Sequence, residues 1–164
     1  MSVLCFLLLG LAVMDAETMR LPDAFTLPGL LLGILYSALL PEPTVAARFR
    51  AAGLSILGAA LAALVLLLIS GTYYLLRRRQ GLGTGDVKLL AMIAAWLGPA
   101  LALLTLTLAV FATAAYALIL IAAASRKRAM LTAKLPFGSF ISAAALYTLF
   151  QGEPILKWYL SFYR

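Results

Sequence analysis

The sequence predicts an all-α, polytopic membrane protein in which residues 1–164 form a single domain. Hydrophobic residues make up 65% of the chain, charged residues make up 12%, and the mean hydropathy is +1.06. A soluble domain usually contains about 45–50% apolar and about 25% charged residues, and a chain of this length has too little interior to bury the excess. The composition therefore excludes a soluble enzyme, a secreted scaffold and a disordered chain, and a lipid bilayer is the expected surrounding.

Five apolar segments supply the transmembrane helices. They are residues 1–14, 24–40, 51–76, 87–124 and 135–150. A hydrocarbon core about 30 Å thick takes roughly 20 helical residues, so the segment 87–124 is long enough for two spans, with a break at Gly98-Pro99. About six transmembrane helices are expected, because strand alternation is absent and helices satisfy their own backbone in lipid. A cleaved signal peptide is the less favoured interpretation of residues 1–14, since no positive charge precedes them.

The basic residues predict the orientation. With six spans, loops 1, 3 and 5 and their margins carry nine basic residues: Arg20, Arg77, Arg78, Arg79, Lys88, Arg126, Lys127, Arg128 and Lys134. The opposite side carries four, namely Arg48, Arg50, Lys157 and Arg164. Positive residues favour the cytoplasm, so these three loops are expected on the cytoplasmic side. Because topology accounts for the net charge of +7, no nucleic-acid partner is expected.

The missing residue types narrow the chemistry. The chain has no His and a single Cys, Cys5. This excludes nucleophiles activated by His, imidazole metal sites, disulfides and thiolate zinc clusters. We therefore expect no metal and no cofactor, and we interpret Cys5 as a small hydrophobic residue.

Four of the six acids fall at loops 1 and 3, on the predicted cytoplasmic side. They are Asp15, Glu17, Asp23 and Asp86. Asp15 follows only fourteen apolar or small residues, and Asp86 precedes a run that would extend only about 16 Å as a helix. Both are expected slightly inside the membrane face, where an ionisable group is costly and indicates function. Asp23 follows Leu21-Pro22 and is equally suited to cap the second helix, whereas Glu17 suits a solvated loop.

Two carboxylates that meet in a partly dehydrated cleft have several chemical uses. Close like charges cannot both ionise cheaply, so one acid keeps its proton. The ionised acid can activate water while the protonated acid donates to a carbonyl, which hydrolyses a peptide without a nucleophile or a metal. The same pair could bind a cation or carry protons through a transporter, or the acids could merely cap helices in a structural subunit.

Glycines lead into Asp86. Gly81, Gly83 and Gly85 alternate along the chain, and they would allow a tight turn and a close backbone approach. A flexible loop with Asp86 as an N-cap is the simpler alternative. A phosphate-binding loop is disfavoured, because the glycine spacing differs from that of a P-loop and Lys88 follows the acid.

At these residues the chain resembles the type IV prepilin peptidases, membrane aspartic proteases with a GxGD motif. Three segments carry the resemblance: residues 15–28, which contain the first aspartate, residues 83–89 with Gly-Thr-Gly-Asp, and residues 135–140 with Pro-Phe-Gly. The resemblance implies that Asp15 and Asp86 are the catalytic pair, and that Gly83 and Gly85 shape the loop before Asp86.

The remaining site residues follow from the same resemblance. Pro136, Phe137 and Gly138 would line the site or simply begin the last helix. Lys88 would anchor the helix at the membrane interface or influence Asp86. Glu17 and Asp23 would attract a basic leader.

The resemblance implies a location in a bacterial-type inner membrane, a substrate and an activity. The expected substrate is a prepilin or pseudopilin, with a short basic leader, a Gly before the cut and an apolar helix after it. Larger family members carry an N-terminal segment with two Cys pairs that is linked to N-methylation. This chain begins with an apolar run and has one Cys, so a short form that only cleaves is expected, without N-methyltransferase activity. A small ion-coupled or proton-coupled transporter is the alternative function, and the oligomeric state stays open.

Overall fold

The computed structural model describes residues 1–39, 44–78, 83–123 and 136–162, and over these ranges every regular element is an α-helix. The helices are α1 (Ser2–Thr18), α2 (Asp23–Leu39), α3 (Val45–Arg77), α4 (Thr84–Leu97), α5 (Pro99–Ala123) and α6 (Phe137–Ser161). The all-α prediction is confirmed. Gly81, the run 125–128 and Lys134 lie outside the described residues, as do Arg79 and Arg164.

Backbone chemistry explains where the helices begin and end. α1 continues past its apolar run and stops at Met19, whose φ of 52° is left-handed. α3 begins at Val45 rather than at residue 51, because the hydroxyl of Thr44 caps it by accepting the N–H of Ala47 at 3.2 Å. The predicted break after α4 is confirmed, since Gly98 has a φ of 84° and Pro99 begins α5.

The short helix α4 forms the centre of the bundle. Its residues from Asp86 to Trp96 are buried, except Lys88, and it contacts α2, α3, α5 and α6. The Trp96 indole donates to the carbonyl of Gly29 at 2.8 Å, and the Ser55 hydroxyl donates to the carbonyl of Ala95 at 2.8 Å. Gly29 on α2 has no side chain, which lets Met92 of α4 approach its backbone. These contacts fix the position of α4 and therefore of Asp86.

The outer helices have the character of membrane spans. Val45–Leu76 and Pro99–Ala123 are long and apolar enough to cross a membrane, with mean hydropathies of 2.6 and 2.3. α4 has 14 residues and extends about 21 Å, which is shorter than a hydrocarbon core of about 30 Å. The helices thus agree with a membrane protein, whereas six complete spans remain a prediction.

Candidate active site

Asp15 lies on the buried face of α1. The buried residues of this helix are Leu4, Leu8, Leu11 and Asp15. Their spacing of three or four residues places them along one face, which packs against α6. The apolar stripe therefore ends in a carboxylate near the C-terminal end of α1, where Asp15 is only 5% exposed.

The first turn of α6 supplies hydrogen-bond donors to Asp15. Its Oδ2 atom accepts the backbone N–H of Ser139 at 2.7 Å. The Ser139 hydroxyl lies 3.3 Å from the same Oδ2 and 2.8 Å from the carbonyl of Ala12, and its single proton can serve only one of them at a time. An N–H in the first turn of a helix has no partner within that helix and carries positive partial charge. The Asp15 side chain therefore accepts a hydrogen bond from an N–H that has no acceptor within α6.

Asp86 occupies the third position of α4, three residues after the N-cap Gly83. Its Oδ2 atom accepts the backbone N–H of Gly83 at 3.2 Å, and its own N–H donates to the carbonyl of Gly83 at 3.2 Å. Asp86 thus lies within the first turn of α4 and caps the N–H of Gly83. The alternative prediction, in which Asp86 is itself the N-cap, is wrong. Gly83 has the extended backbone conformation that is usual for an N-cap residue.

The electrostatics of Asp86 depend on its burial and on Asp15. Asp86 lies outside the two helices that are long enough to cross a membrane, and it is 8% exposed. Burial raises the pKa of its carboxyl from 3.8 to about 6, and the charge of Asp15 adds to the rise. The N–H of Gly83 opposes the rise. The acids at positions 15 and 86 thus influence each other, and the fold brings them to the same end of the bundle.

Two glycines mark close approaches beside these acids. A Cβ atom added to Gly138 would lie 2.9 Å from Asp15 Oδ2 and 2.9 Å from Leu21 Cδ1. A Cβ atom added to Gly85 would lie 2.9 Å from Leu21 Cβ. Real Cβ atoms essentially never come this close to another heavy atom. Any larger residue at either position would therefore displace Leu21 or Asp15.

With this geometry established, comparison with known proteins gives the family. Residues 2–118 match the type IV leader peptidase family. The chain belongs to this family. It is also similar to proteins named prepilin leader peptidase/N-methyltransferase from Aeromonas salmonicida, Burkholderia pseudomallei and Pseudomonas aeruginosa. No solved structure is significantly similar to it.

The relatives are considerably longer than this chain. The Aeromonas salmonicida protein is 32% identical over 159 residues, which are 97% of this chain and 51% of that protein. For the Burkholderia pseudomallei protein the identity is 36%, over 92% of this chain and 46% of the relative. The Pseudomonas aeruginosa protein is 30% identical, over 99% of this chain and 52% of the relative. The chain thus spans about half the length of the curated relatives it matches.

The structure also gives the positions of the other residues predicted for the site. Pro136 is the N-cap of α6 and Phe137 is its first residue, and the half-buried Phe137 packs against the apolar core. Asp23 is the first residue of α2, and both of its carboxylate oxygens accept hydrogen bonds from the Lys88 ammonium, at 2.6 and 2.7 Å. Lys88 therefore connects α4 to α2 through Asp23. Glu17 is exposed in the last turn of α1.

Two site residues were missed by the sequence interpretation. Ser139 belonged to a segment of the resemblance but was given no role, and Leu21 was treated only as the residue before Pro22. A signal was available for each. Ser139 follows Gly138 in the first turn of a predicted helix, where unpaired N–H groups are expected. Leu21 is a large apolar residue in a loop otherwise rich in polar side chains, which is typical of a residue that is buried.

Proposed function

We propose that this chain is a membrane-embedded aspartic endopeptidase. It removes the short basic leader from prepilins or pseudopilins at the cytoplasmic face, by means of a water molecule activated between Asp15 and Asp86. The observation that carries the proposal is the burial of two electrostatically coupled carboxylates, supplied by separate helices at one end of the bundle. Membership of the type IV leader peptidase family and the peptidase names of the relatives support it.

The surroundings of the two acids differ, and the difference supports a separate role for each. Asp15 accepts the N–H of Ser139 at the start of α6, and this contact holds its carboxyl in position to act as the base. Asp86 accepts one longer hydrogen bond, and its pKa of about 6 suits it to carry the proton. Such a division of roles between two carboxylates follows from the environment of each.

In the proposed reaction, protons move between the two acids, a water molecule and the scissile peptide bond. Asp15 removes a proton from water, and the oxygen of that water forms a bond to the carbonyl carbon of the scissile peptide. Asp86 gives its proton to the carbonyl oxygen, so the tetrahedral intermediate is neutral. Asp15 then transfers its proton to the leaving nitrogen as the C–N bond breaks. Asp86 regains a proton as the carbonyl of the new carboxyl group re-forms, which restores the starting state.

The acids outside the pair have a separate part in the proposal. Asp23 is bound to Lys88, so its charge is already compensated. Glu17 is exposed two residues beyond Asp15 and has no ion pair among the described residues. Glu17 is therefore the better candidate to attract a basic leader.

The test is cleavage by the purified chain in detergent. A co-expressed prepilin is the substrate, and mass spectrometry locates the cut and detects any methyl group on the new amino terminus. Asp15→Asn and Asp86→Asn should each lower the cleavage rate by at least about 100-fold, the usual contribution of a general acid or base. Glu153→Gln, which changes an exposed acid paired with Lys157 on α6, should retain the wild-type rate.

Three outcomes would contradict the proposal. Near-wild-type cleavage by either Asp variant would refute the assignment of Asp15 and Asp86 as the catalytic pair. Proton or solute flux in liposomes that contain no substrate protein would instead favour the transporter. Loss of folding in both Asn variants, with no cleavage by the wild type, would favour a structural role.

A further inference from the structure

An ion pair joins α2 to α4 close to Asp86. The Lys88 ammonium donates to both carboxylate oxygens of Asp23, at 2.6 and 2.7 Å. Asp23 is the first residue of α2, and Lys88 lies two residues after Asp86 on α4. The pair therefore connects the beginnings of two helices whose partner residues are 65 positions apart in the chain.

Lys88 reaches Asp23 and not the neighbouring acid on its own helix. Residues two apart on a helix do not face each other, and the Lys88 ammonium bonds to the two oxygens of Asp23. Lys88 is also the one half-buried residue in the otherwise buried run from Asp86 to Trp96. Any effect of Lys88 on Asp86 therefore acts through the position of α4 rather than through direct contact.

The segment that ends at Asp23 begins beside the other acid. Met19 closes α1 in a left-handed conformation, and its N–H donates to the carbonyl of Asp15 at 2.9 Å. The segment from Met19 to Asp23 is short, and Pro22 restricts its backbone directly before Asp23. A shift of Asp23 relative to α4 is therefore transmitted to the end of α1 that carries Asp15.

The same segment contacts α4 on both sides of Asp86. On one side Leu21 packs against Gly85, where an added Cβ would lie 2.9 Å from Leu21 Cβ. On the other side Asp23 binds Lys88. Packing sets how closely the segment can approach, whereas two short bonds between charged groups supply a directional attraction. The two contacts together hold the segment against the turn of α4 that contains Asp86.

We propose that Asp23 is a positioning residue, which binds Lys88 and so fixes the start of α4 relative to the end of α1, where Asp15 lies. The inference rests on the proposed peptidase function and extends it. In this role neither member of the ion pair touches the substrate. Attraction of a basic leader by Asp23 is the competing role, and the two roles predict different kinetics.

The test measures kcat and KM separately for prepilin cleavage by Asp23→Asn and Lys88→Met. Hydrogen bonds between charged groups can shift an equilibrium by about 10-fold, and misplaced catalytic groups lower the rate of the chemical step. Both variants should therefore lose about 10-fold in kcat, with KM within about 2-fold of the wild type. Attraction of a leader predicts instead a higher KM for Asp23→Asn, an unchanged kcat, and no rise in KM for Lys88→Met.

Matched variants separate positioning from folding. The double variant Asp23→Asn/Lys88→Met should be no slower than either single variant, because the two residues act as a unit. Asp23→Glu and Lys88→Arg keep the charges and should retain most of the kcat. The side chains of Lys88 and Asp23 are 37% and 58% exposed, so all variants should unfold within about 5 °C of the wild type. Glu153→Gln breaks an exposed ion pair within α6 and should keep the wild-type kcat.

The outcomes distinguish the inference from the function on which it rests. A wild-type kcat in Asp23→Asn and Lys88→Met would overturn the positioning role and leave the peptidase intact. Multiplied losses in the double variant, or a rise in KM confined to Asp23→Asn, would overturn it as well. If the wild type cleaves no prepilin, the proposed function fails and the inference fails with it.

Discussion

Replacing Asp86 with Asn should stabilise this protein at neutral pH while abolishing cleavage. The carboxyl of Asp86 is 8% exposed and near Asp15, and its pKa is raised from 3.8 to about 6. The protonated form is therefore favoured in the folded state, and ionisation of Asp86 at pH 7 destabilises it. Asn has a similar shape and can still accept the N–H of Gly83 through its amide oxygen, but it carries no charge.

The size of the effect follows from the pKa. One pKa unit corresponds to about 1.4 kcal/mol, so the rise from 3.8 to about 6 corresponds to about 3 kcal/mol. Below pH 3.8 Asp86 is protonated in both states and contributes nothing. As the pH rises from 3.8 to about 6, the unfolded chain ionises first and the wild type loses stability, and above pH 6 the loss is complete. The amide that replaces this carboxyl does not titrate, so the advantage of the variant should develop only over this window.

The measurement is the thermal unfolding midpoint in detergent at pH 7 and at pH 3.5. At pH 7, about 3 kcal/mol should raise the midpoint of Asp86→Asn by roughly 6–12 °C above the wild type, by the scaling for chains of this length. At pH 3.5 the two midpoints should approach each other. Glu17→Gln removes an exposed acid from the same end of the bundle and should change neither midpoint. An equal difference at both pH values, or a variant less stable than wild type at pH 7, would refute the reasoning.

Two further substitutions test the geometry around Asp15. Gly138→Ala should lower kcat at least about 10-fold, because its Cβ would come within 2.9 Å of the Asp15 carboxylate. Gly53→Ala is the control, because a Cβ at Gly53 has open space, and this variant should cleave at the wild-type rate. Equal rates for both variants would contradict the close approach. Ser139→Ala removes a hydroxyl but keeps the N–H that Asp15 accepts, so kcat should fall only about 2–10-fold with KM unchanged, and Ser139→Thr should restore it. A loss of more than about 100-fold in Ser139→Ala would mean that the hydroxyl itself takes part in the chemistry.

The features that could be predicted from the sequence are those that depend on residues adjacent in the chain. The break at Gly98-Pro99 follows from backbone conformations that only these residue types allow or impose, and it is confirmed. The prediction that acids of loops 1 and 3 lie near each other is supported by the electrostatic effect of Asp15 on Asp86. α1 was expected to end with its apolar run, but helix formation does not require apolar residues, and the helix continues to Thr18.

Contacts between residues far apart in the chain could not be predicted from the sequence. The hydrogen bond from Ser139 to Asp15 joins residues 124 positions apart, and the ion pair of Lys88 with Asp23 joins residues 65 positions apart. Such partners are set by how the helices pack, and any of several acids could have served. The ion pair gives Asp23 a partner on α4 of the same chain, and the attraction of a basic leader by Asp23 stays a prediction.

The asymmetry between the two acids comes from the way each meets a helix terminus. Asp86 lies in the first turn of its own helix, where the dipole favours a carboxylate by about 0.3–1 kcal/mol, up to about 2. The pKa of Asp86 is nevertheless raised to about 6 although the Gly83 N–H lowers it, so burial, the largest cause, decides the outcome at Asp86. Asp15 instead meets the N-terminus of α6 from outside and accepts a short hydrogen bond from Ser139. Two identical residues thereby have different surroundings, and the difference arises because the end of α1 packs against the beginning of α6.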